Sequence, residues 1–372
     1  MKNRSAFTVF FRYVFFGLIY FHVSGAVSLA KDKLPEVPPT ARAPVDTLFH
    51  GPLDRGIKLV YQDRFPEAIL LFDSLQEVFP HHPAPYFYRA ATYQSWMSSY
   101  RFNKFQAQLE ADVQKAINIG NELLKQRQED PWLNFYIGAA YGYRAFFKVR
   151  SWNFIGAYVD GKKGIGNFNK ALEKDSTLYD VYLGLGAYHY WRTARSSFIR
   201  VIAFWMPDKR DFGLEQIEFT IRHGRYAPEE ATLALVTSLY DYKKYQLAVE
   251  VLERFMAGYQ TQLISSLYLH GRLLVEFQRW PEVRETFAEI LSRLENYLYP
   301  SIGYQVECKY WMALALQGEN QPQEALALAE AALAQSKLRN KEVELEGQFD
   351  SFEDIKGRLE KLAKQLKEAA KS

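Results

Sequence analysis

A single cysteine, Cys308, stands in 372 residues, which excludes an internal disulfide and any thiolate metal cluster. The chain also lacks His-Glu-x-x-His, Gly-x-Ser-x-Gly, a complete phosphate-binding Walker loop and Cys-x-x-Cys, so the common zinc-hydrolase, serine-hydrolase, nucleotide-binding and dithiol chemistries have no local signature. No cofactor is expected and no enzyme. Charge of one sign is missing too. Lys and Arg number 46 against 43 Asp and Glu, and removal of residues 1–30 takes away Lys2, Arg4 and Arg12 without an acid. A balance so near neutral argues against nucleic acid as a partner. Only residues 140–225 depart from it, with 14 basic against 8 acidic side chains; a solvated basic face and a site for an anionic partner both fit. Apart from the N-terminus, no run is long and apolar enough to span a membrane.

The N-terminus has the form of an export signal. Lys2, Arg4 and Arg12 precede the apolar stretch Tyr13 to Val23, and Ser28-Leu29-Ala30 puts small residues before Lys31, so cleavage is expected near Ala30. The competing reading is an uncleaved anchor, but eleven apolar residues fall short of the roughly twenty that span a bilayer. The signal implies an exported protein of the periplasm or cell envelope. Residues 31–46, KDKLPEVPPTARAPVD, read as an extended Pro-rich linker.

Abundant aromatics and internal self-similarity are what the chain does have. It holds 25 Tyr and 27 Phe, and Tyr suits both half-buried grooves and cores. LVTSLYDYKKYQLAVEVLERF (235–255) superposes on HGRLLVEFQRWPEVRETFAEI (270–290) with a 35-residue step, pairing Val236 with Gly271 and Leu252 with Phe287. Residues 56–80 and 312–334 share the grammar: small residues at Gly56, Ala68, Gly271 and Ala325, rings at Phe65, Phe72 and Phe287. Small residues let two helices approach while rings fill the space between hairpins. A longer step lies between. Ala90, Gly138 and Gly186 follow at 48 residues, and Ala116, Gly164 and Gly213 at 48 and 49. The roughly 14 added residues amount to about two turns per helix.

This pattern resembles the tetratricopeptide repeat family, and residues 184–218, through Gly184, Gly186 and the turn Asp208 to Leu214, also resemble the TTC39/Iml2 family of such proteins. The resemblance implies an all-α fold, a TPR-like α-α hairpin solenoid (a right-handed superhelix) with enlarged central hairpins and a C-terminal capping helix. The expected organisation is a signal peptide over 1–30, the linker over 31–46, one hairpin over 47–82, three enlarged 48-residue hairpins over 83–225, three further hairpins over 226–338, and a capping helix within 339–372. That last helix carries Phe352, Ile355, Leu359, Leu362 and Leu366 at helical spacing behind a Ser351/Asp354 capping box.

The family resemblance further implies binding of extended peptides or partner helices along a concave surface lined by the first helix of each hairpin. Carried onto this sequence, that groove includes Tyr61, Phe87, Phe135, Tyr143, Tyr190, Trp191, Tyr240, Tyr268 and Tyr310, with Arg144, Arg192 and Arg195 placed to pair with acidic groups of a partner. The other reading of these rings is inter-repeat core. Two non-enzymatic functions follow, a scaffold binding a protein or peptide partner and a lipid- or small-ligand-binding groove with some membrane-surface association. An enzyme on a helical toroid is the third class, and it predicts paired acids facing one cavity. Outside the groove, His189 and Cys308 read as packing residues, and His81-His82 between Pro80 and Pro83 as a turn or a metal pair; no metal site is expected.

Overall fold

The computed structural model describes residues 33–38, 41–150, 153–194 and 207–370. The chain divides into two units, Met1–Glu36 and Val37–Ser372. The expected signal segment over 1–30 lies outside the described residues, and every described helix belongs to the second unit.

Fifteen helices make up this unit among the described residues, and fourteen of them form seven consecutive antiparallel pairs. In chain order these are α1 (His50–Tyr61) with α2 (Phe65–Val78), α3 (Pro83–Tyr100) with α4 (Gln106–Leu124), α5 (Pro131–Arg150) with α6 (Phe154–Lys174), and α7 (Val181–Ala194) with α8 (Arg210–His223). Then come α9 (Pro228–Asp241) with α10 (Tyr245–Met256), α11 (Ile264–Glu276) with α12 (Trp280–Glu295), α13 (Ile302–Gly318) with α14 (Pro322–Ser336), and the terminal α15 (Phe352–Ala369). The fold is an all-α helical repeat, the architecture that the family resemblance implies. None of the described helices is long and apolar enough to cross a membrane.

Local chemistry sets the helix boundaries. Proline occupies the first turn of α2, α3, α9, α12 and α14, where its fixed φ favours a start and its missing N–H costs nothing. The turn inside a hairpin is built the same way five times. Asp63, Arg101, Lys243, Gln278 and Asn320 all stand at φ between 55° and 62°. The following N–H then reaches back five residues, Arg64 to Leu59, Phe102 to Met97, Lys244 to Leu239, Arg279 to Leu274 and Gln321 to Leu316, at 2.9–3.2 Å. This closure satisfies carbonyls that a helix end leaves open. No glycine stands at any of the five positions, so each left-handed residue costs about 1–2 kcal/mol, which the packing of the hairpin offsets. Ser351 and Asp354 form the expected capping box at the start of α15.

The 48-residue copies cross at their small residues. A methyl group on Gly138 would lie 3.1 Å from the Gly164 carbonyl oxygen, and one on Gly186 2.6 Å from that of Gly213. Ala90 and Ala116 are fully buried in α3 and α4. The helices α3 to α6 run 18 to 21 residues, against 12 and 14 for α1 and α2. In the third copy α7 and α8 span 14 each, and the added residues of that copy fall at 195–206, outside the described residues.

Early hairpins also touch late ones. Tyr136 Oη donates to Asp46 (2.6 Å), Tyr226 Oη accepts from the Asp46 N–H (3.1 Å), and Tyr61 Oη donates to Glu230 (2.7 Å). Tyr100 stacks on Tyr297 with ring centroids 3.6 Å apart, and Ser99 meets Ser265 at 2.7 Å. The first helices of hairpins one and two therefore face elements of hairpins five and six directly. Burial pushes the Glu230 carboxyl up, and Tyr61 bonding only partly counters it.

His82 couples the second hairpin to pH. Its Nδ1 accepts from the Ala84 N–H at 3.3 Å as the N-cap of α3, and its ring packs 4.5 Å from that of Phe49. Burial pushes its pKa down to about 4 and Arg127 adds to this, against Asp130. The folded state thus holds it neutral while the unfolded chain takes a proton near pH 6.5, so stability is lost as pH falls from about 6.5 through 4, by up to about 3 kcal/mol. His82→Asn, which keeps a capping acceptor without the titration, should flatten that part of the urea-denaturation profile against pH. His81 is exposed, and among the described residues no group of three or more His, Cys, Asp or Glu is placed to hold a metal.

Candidate recognition face

The first helices of hairpins five to seven carry Tyr240, Tyr268, Arg272, Glu307, Tyr310 and Trp311, and the chain after α14 returns across them. Residues 343–345 pair with the end of α3: the Asn103 N–H donates to Val343 and the Leu345 N–H to Arg101, both at 3.0 Å, around a bridge between Phe102 and Glu344. Further on, the ring of Phe349 lies 4.5 Å from Tyr240 and stacks on Tyr268 at 6.1 Å. Asp350 reaches the Arg272 guanidinium at 2.8 Å, and that guanidinium sits 5.2 Å from the Phe349 ring. Gln348 donates to Thr237 Oγ1 (3.2 Å). An aromatic slot and one arginine thus hold a segment of the chain itself.

Beneath it lies a buried ionic core. Glu307 accepts from Arg101 (2.5 Å), Tyr268 Oη (2.8 Å) and Trp311 Nε1 (3.1 Å), and Arg272 stands 3.9 Å away. Arg272 donates to the Tyr268 and Tyr240 hydroxyls at 2.9 and 3.0 Å. Arg101 lies 3.7 Å over the Tyr304 ring. Burial alone would raise the Glu307 carboxyl, but the two guanidiniums hold it below the ordinary value. The neighbouring Cys308 thiol is buried and pushed well up, first by that burial and then by Glu307, so it stays a thiol and its role is packing.

The structure gathers the expected groove residues into three places. Phe87 and Phe135 are buried and meet edge to face at 6.5 Å, with Tyr143 5.5 Å from Phe87. Tyr190 is fully buried and donates to Ser238 O and Asp241, with Trp191 packed 5.0 Å from it. Tyr240 and Tyr268 form the slot just described, and Tyr310 packs 4.7 Å from Trp311. The rings make their contacts with one another and with the returning chain. Arg144 is held by Asp160 at 2.7 Å and Gln114 at 2.9 Å, so its fork is engaged inside the molecule. Arg192 lies 5.6 Å over Tyr188, and Arg195 lies outside the described residues. His189, buried, has its Nδ1 2.6 Å from Gln216 Oε1.

Sequence patterning did not single out Arg101, Arg272, Glu307, Phe349 or Asp350. One signal was available. Arg272 and Glu307 are charges with apolar neighbours in HGRLLVEF and YQVECKYW, and a charge on an apolar face is buried only when paired.

No family model matches this chain, and no curated protein does either. Solved structures show similarity at low identity. The Cut9–Hcn1 hetero-tetramer of the APC/C is 14% identical, with a TM-score of 0.49, over 79% of this chain and 48% of that one. This chain thus covers about half of that protein's length. The C-terminal part of a TPR repeat-containing protein from Cytophaga hutchinsonii is 14% identical over 78% of this chain and 97% of its own, with a TM-score of 0.40. Yeast Tom70 is 13% identical over 86% and 82%, with a TM-score of 0.33.

Proposed function

We propose that this chain is a non-enzymatic scaffold, exported to the periplasm or cell envelope, that binds a protein or peptide partner along the first helices of hairpins five to seven. One observation carries the reading. This face already holds a segment of the chain, with Phe349 in the Tyr240/Tyr268 slot and Asp350 on Arg272, and a partner carrying an aromatic next to an acid would meet the same groups. Recognition of this kind combines main-chain pairing with a few side-chain anchors, and the arginine–carboxylate contact supplies direction.

The test uses the full chain with Phe349→Ala and Asp350→Ala, which vacates both anchors. A labelled peptide copying residues 343–352 should bind this variant at least about tenfold more tightly than it binds wild type, a difference of about 1.4 kcal/mol. It should lose that preference when its own Phe and Asp are replaced by Ala. Equal binding of both peptides, or none to the vacated variant, overturns the reading. Under the alternative function, a lipid- or small-ligand-binding groove, native mass spectrometry of the purified protein would show a retained lipid.

A further inference from the structure

The helices α5 and α6 are the two longest among the described residues, and the start of α6 carries a run of exposed apolar side chains. Phe146, Ile155, Tyr158 and Val159 are exposed at 49%, 64%, 58% and 45%. Ile155, Tyr158, Val159 and Lys162 recur at helical spacing on one side of α6, and Lys162 and Lys163 are exposed immediately behind the apolar residues. Lys162 stands 5.7 Å from the Tyr158 ring centroid. In sequence, residues 145–163 hold five aromatics, Phe146, Phe147, Trp152, Phe154 and Tyr158, and four cations, Lys148, Arg150, Lys162 and Lys163. Their one acid, Asp160, is buried and bound by Arg144 and Lys148 at 2.7 and 2.6 Å. Within residues 145–163 the exposed charge of the described side chains is therefore positive, with Glu110 of α4 an acid outside them that acts on Arg144.

Large apolar side chains in water at a helix end, with aromatics and lysines behind them, match the boundary of a lipid bilayer. Rings and aliphatic groups enter the headgroup region, while lysines stay among the phosphates. A protein partner of ordinary composition would not require the single sign of charge; an anionic lipid surface does, and each nearby Lys or Arg strengthens attachment to it. We infer that the exposed face at the start of α6 is a docking site for an anionic membrane surface, with Ile155, Tyr158 and Val159 inserting and Lys162 and Lys163 pairing with lipid phosphate. The scaffold is then peripheral to the membrane, held by its second enlarged hairpin. This inference is independent of the peptide site, which shares no residue with it.

Co-sedimentation of the full chain with vesicles decides it. Vesicles of phosphatidylcholine with about one third phosphatidylglycerol should retain the protein, pure phosphatidylcholine vesicles should retain much less, and added salt should weaken the binding. Ile155→Ser with Tyr158→Ser, and separately Lys162→Glu with Lys163→Glu, should each lower the partition coefficient by about tenfold or more. These side chains are exposed, so unchanged circular dichroism and melting are expected of both. Leu70→Ser with Val78→Ser, two exposed apolar residues of α2, should leave binding unchanged. Wild type that ignores anionic vesicles overturns the inference, as does binding that survives both the Ile155/Tyr158 and the Lys162/Lys163 variants. So does a face that drives only self-association, seen as a dimer lost in the Ile155/Tyr158 variant without vesicle binding.

Discussion

Replacing Glu307 with alanine is expected to destabilise the protein by on the order of 3–5 kcal/mol, measured by urea denaturation, because it leaves two buried guanidiniums without their shared anion. Arg101 and Arg272 are each almost fully buried and converge on this carboxylate from α3 and α11. Alanine also removes the acceptor for Tyr268 Oη and Trp311 Nε1, and unmet buried donors add to the cost. Glu307→Gln keeps an acceptor and the shape but not the charge, so its loss should be smaller. The carboxyl is held below its ordinary pKa, so its contribution is present above the unfolded value and disappears as pH falls through the lower folded one. The difference between wild type and Glu307→Gln should therefore shrink in acid. A loss under about 1 kcal/mol for Glu307→Ala would show that water reaches and solvates both arginines.

Gly186→Ala should cost about 2–3 kcal/mol, although alanine is the better helix former. The added methyl would stand 2.6 Å from the Gly213 carbonyl oxygen and 2.8 Å from Ile217 Cγ1. The first of these is backbone, which cannot rotate away, so α7 and α8 must separate. Gly142→Ala is the internal control: nothing lies within 4 Å of its added methyl, and the substitution should stabilise by up to about 1 kcal/mol through helix propensity alone. Gly213→Ala should resemble Gly186→Ala, and the double variant should cost less than the sum, since both force one separation. Equal melting temperatures for Gly186→Ala and Gly142→Ala would refute the crossing.

That crossing was legible as a 48-residue recurrence of small residues, because close approach of two helices constrains residue size at a fixed place in each repeat. The left-handed turns were not legible. Asp63, Arg101, Lys243, Gln278 and Asn320 share a conformation without sharing a side-chain chemistry, and none is the glycine that would announce it. Arg101 shows the gap most clearly. It ends α3 in such a turn and simultaneously supplies a charge to Glu307, 206 residues away.

Local periodicity therefore established the helices, their pairing and the small residues on which they cross, since each depends on neighbours within one repeat. Which rings meet the returning chain came from the three-dimensional arrangement alone. How tightly successive hairpins curve accumulates over the whole stack, and that curvature brings the rings of early repeats against late ones and lays Phe349 and Asp350 over Tyr240, Tyr268 and Arg272. An aromatic at a first-helix position has the same sequence signature whether it meets a partner, another repeat or its own chain returning.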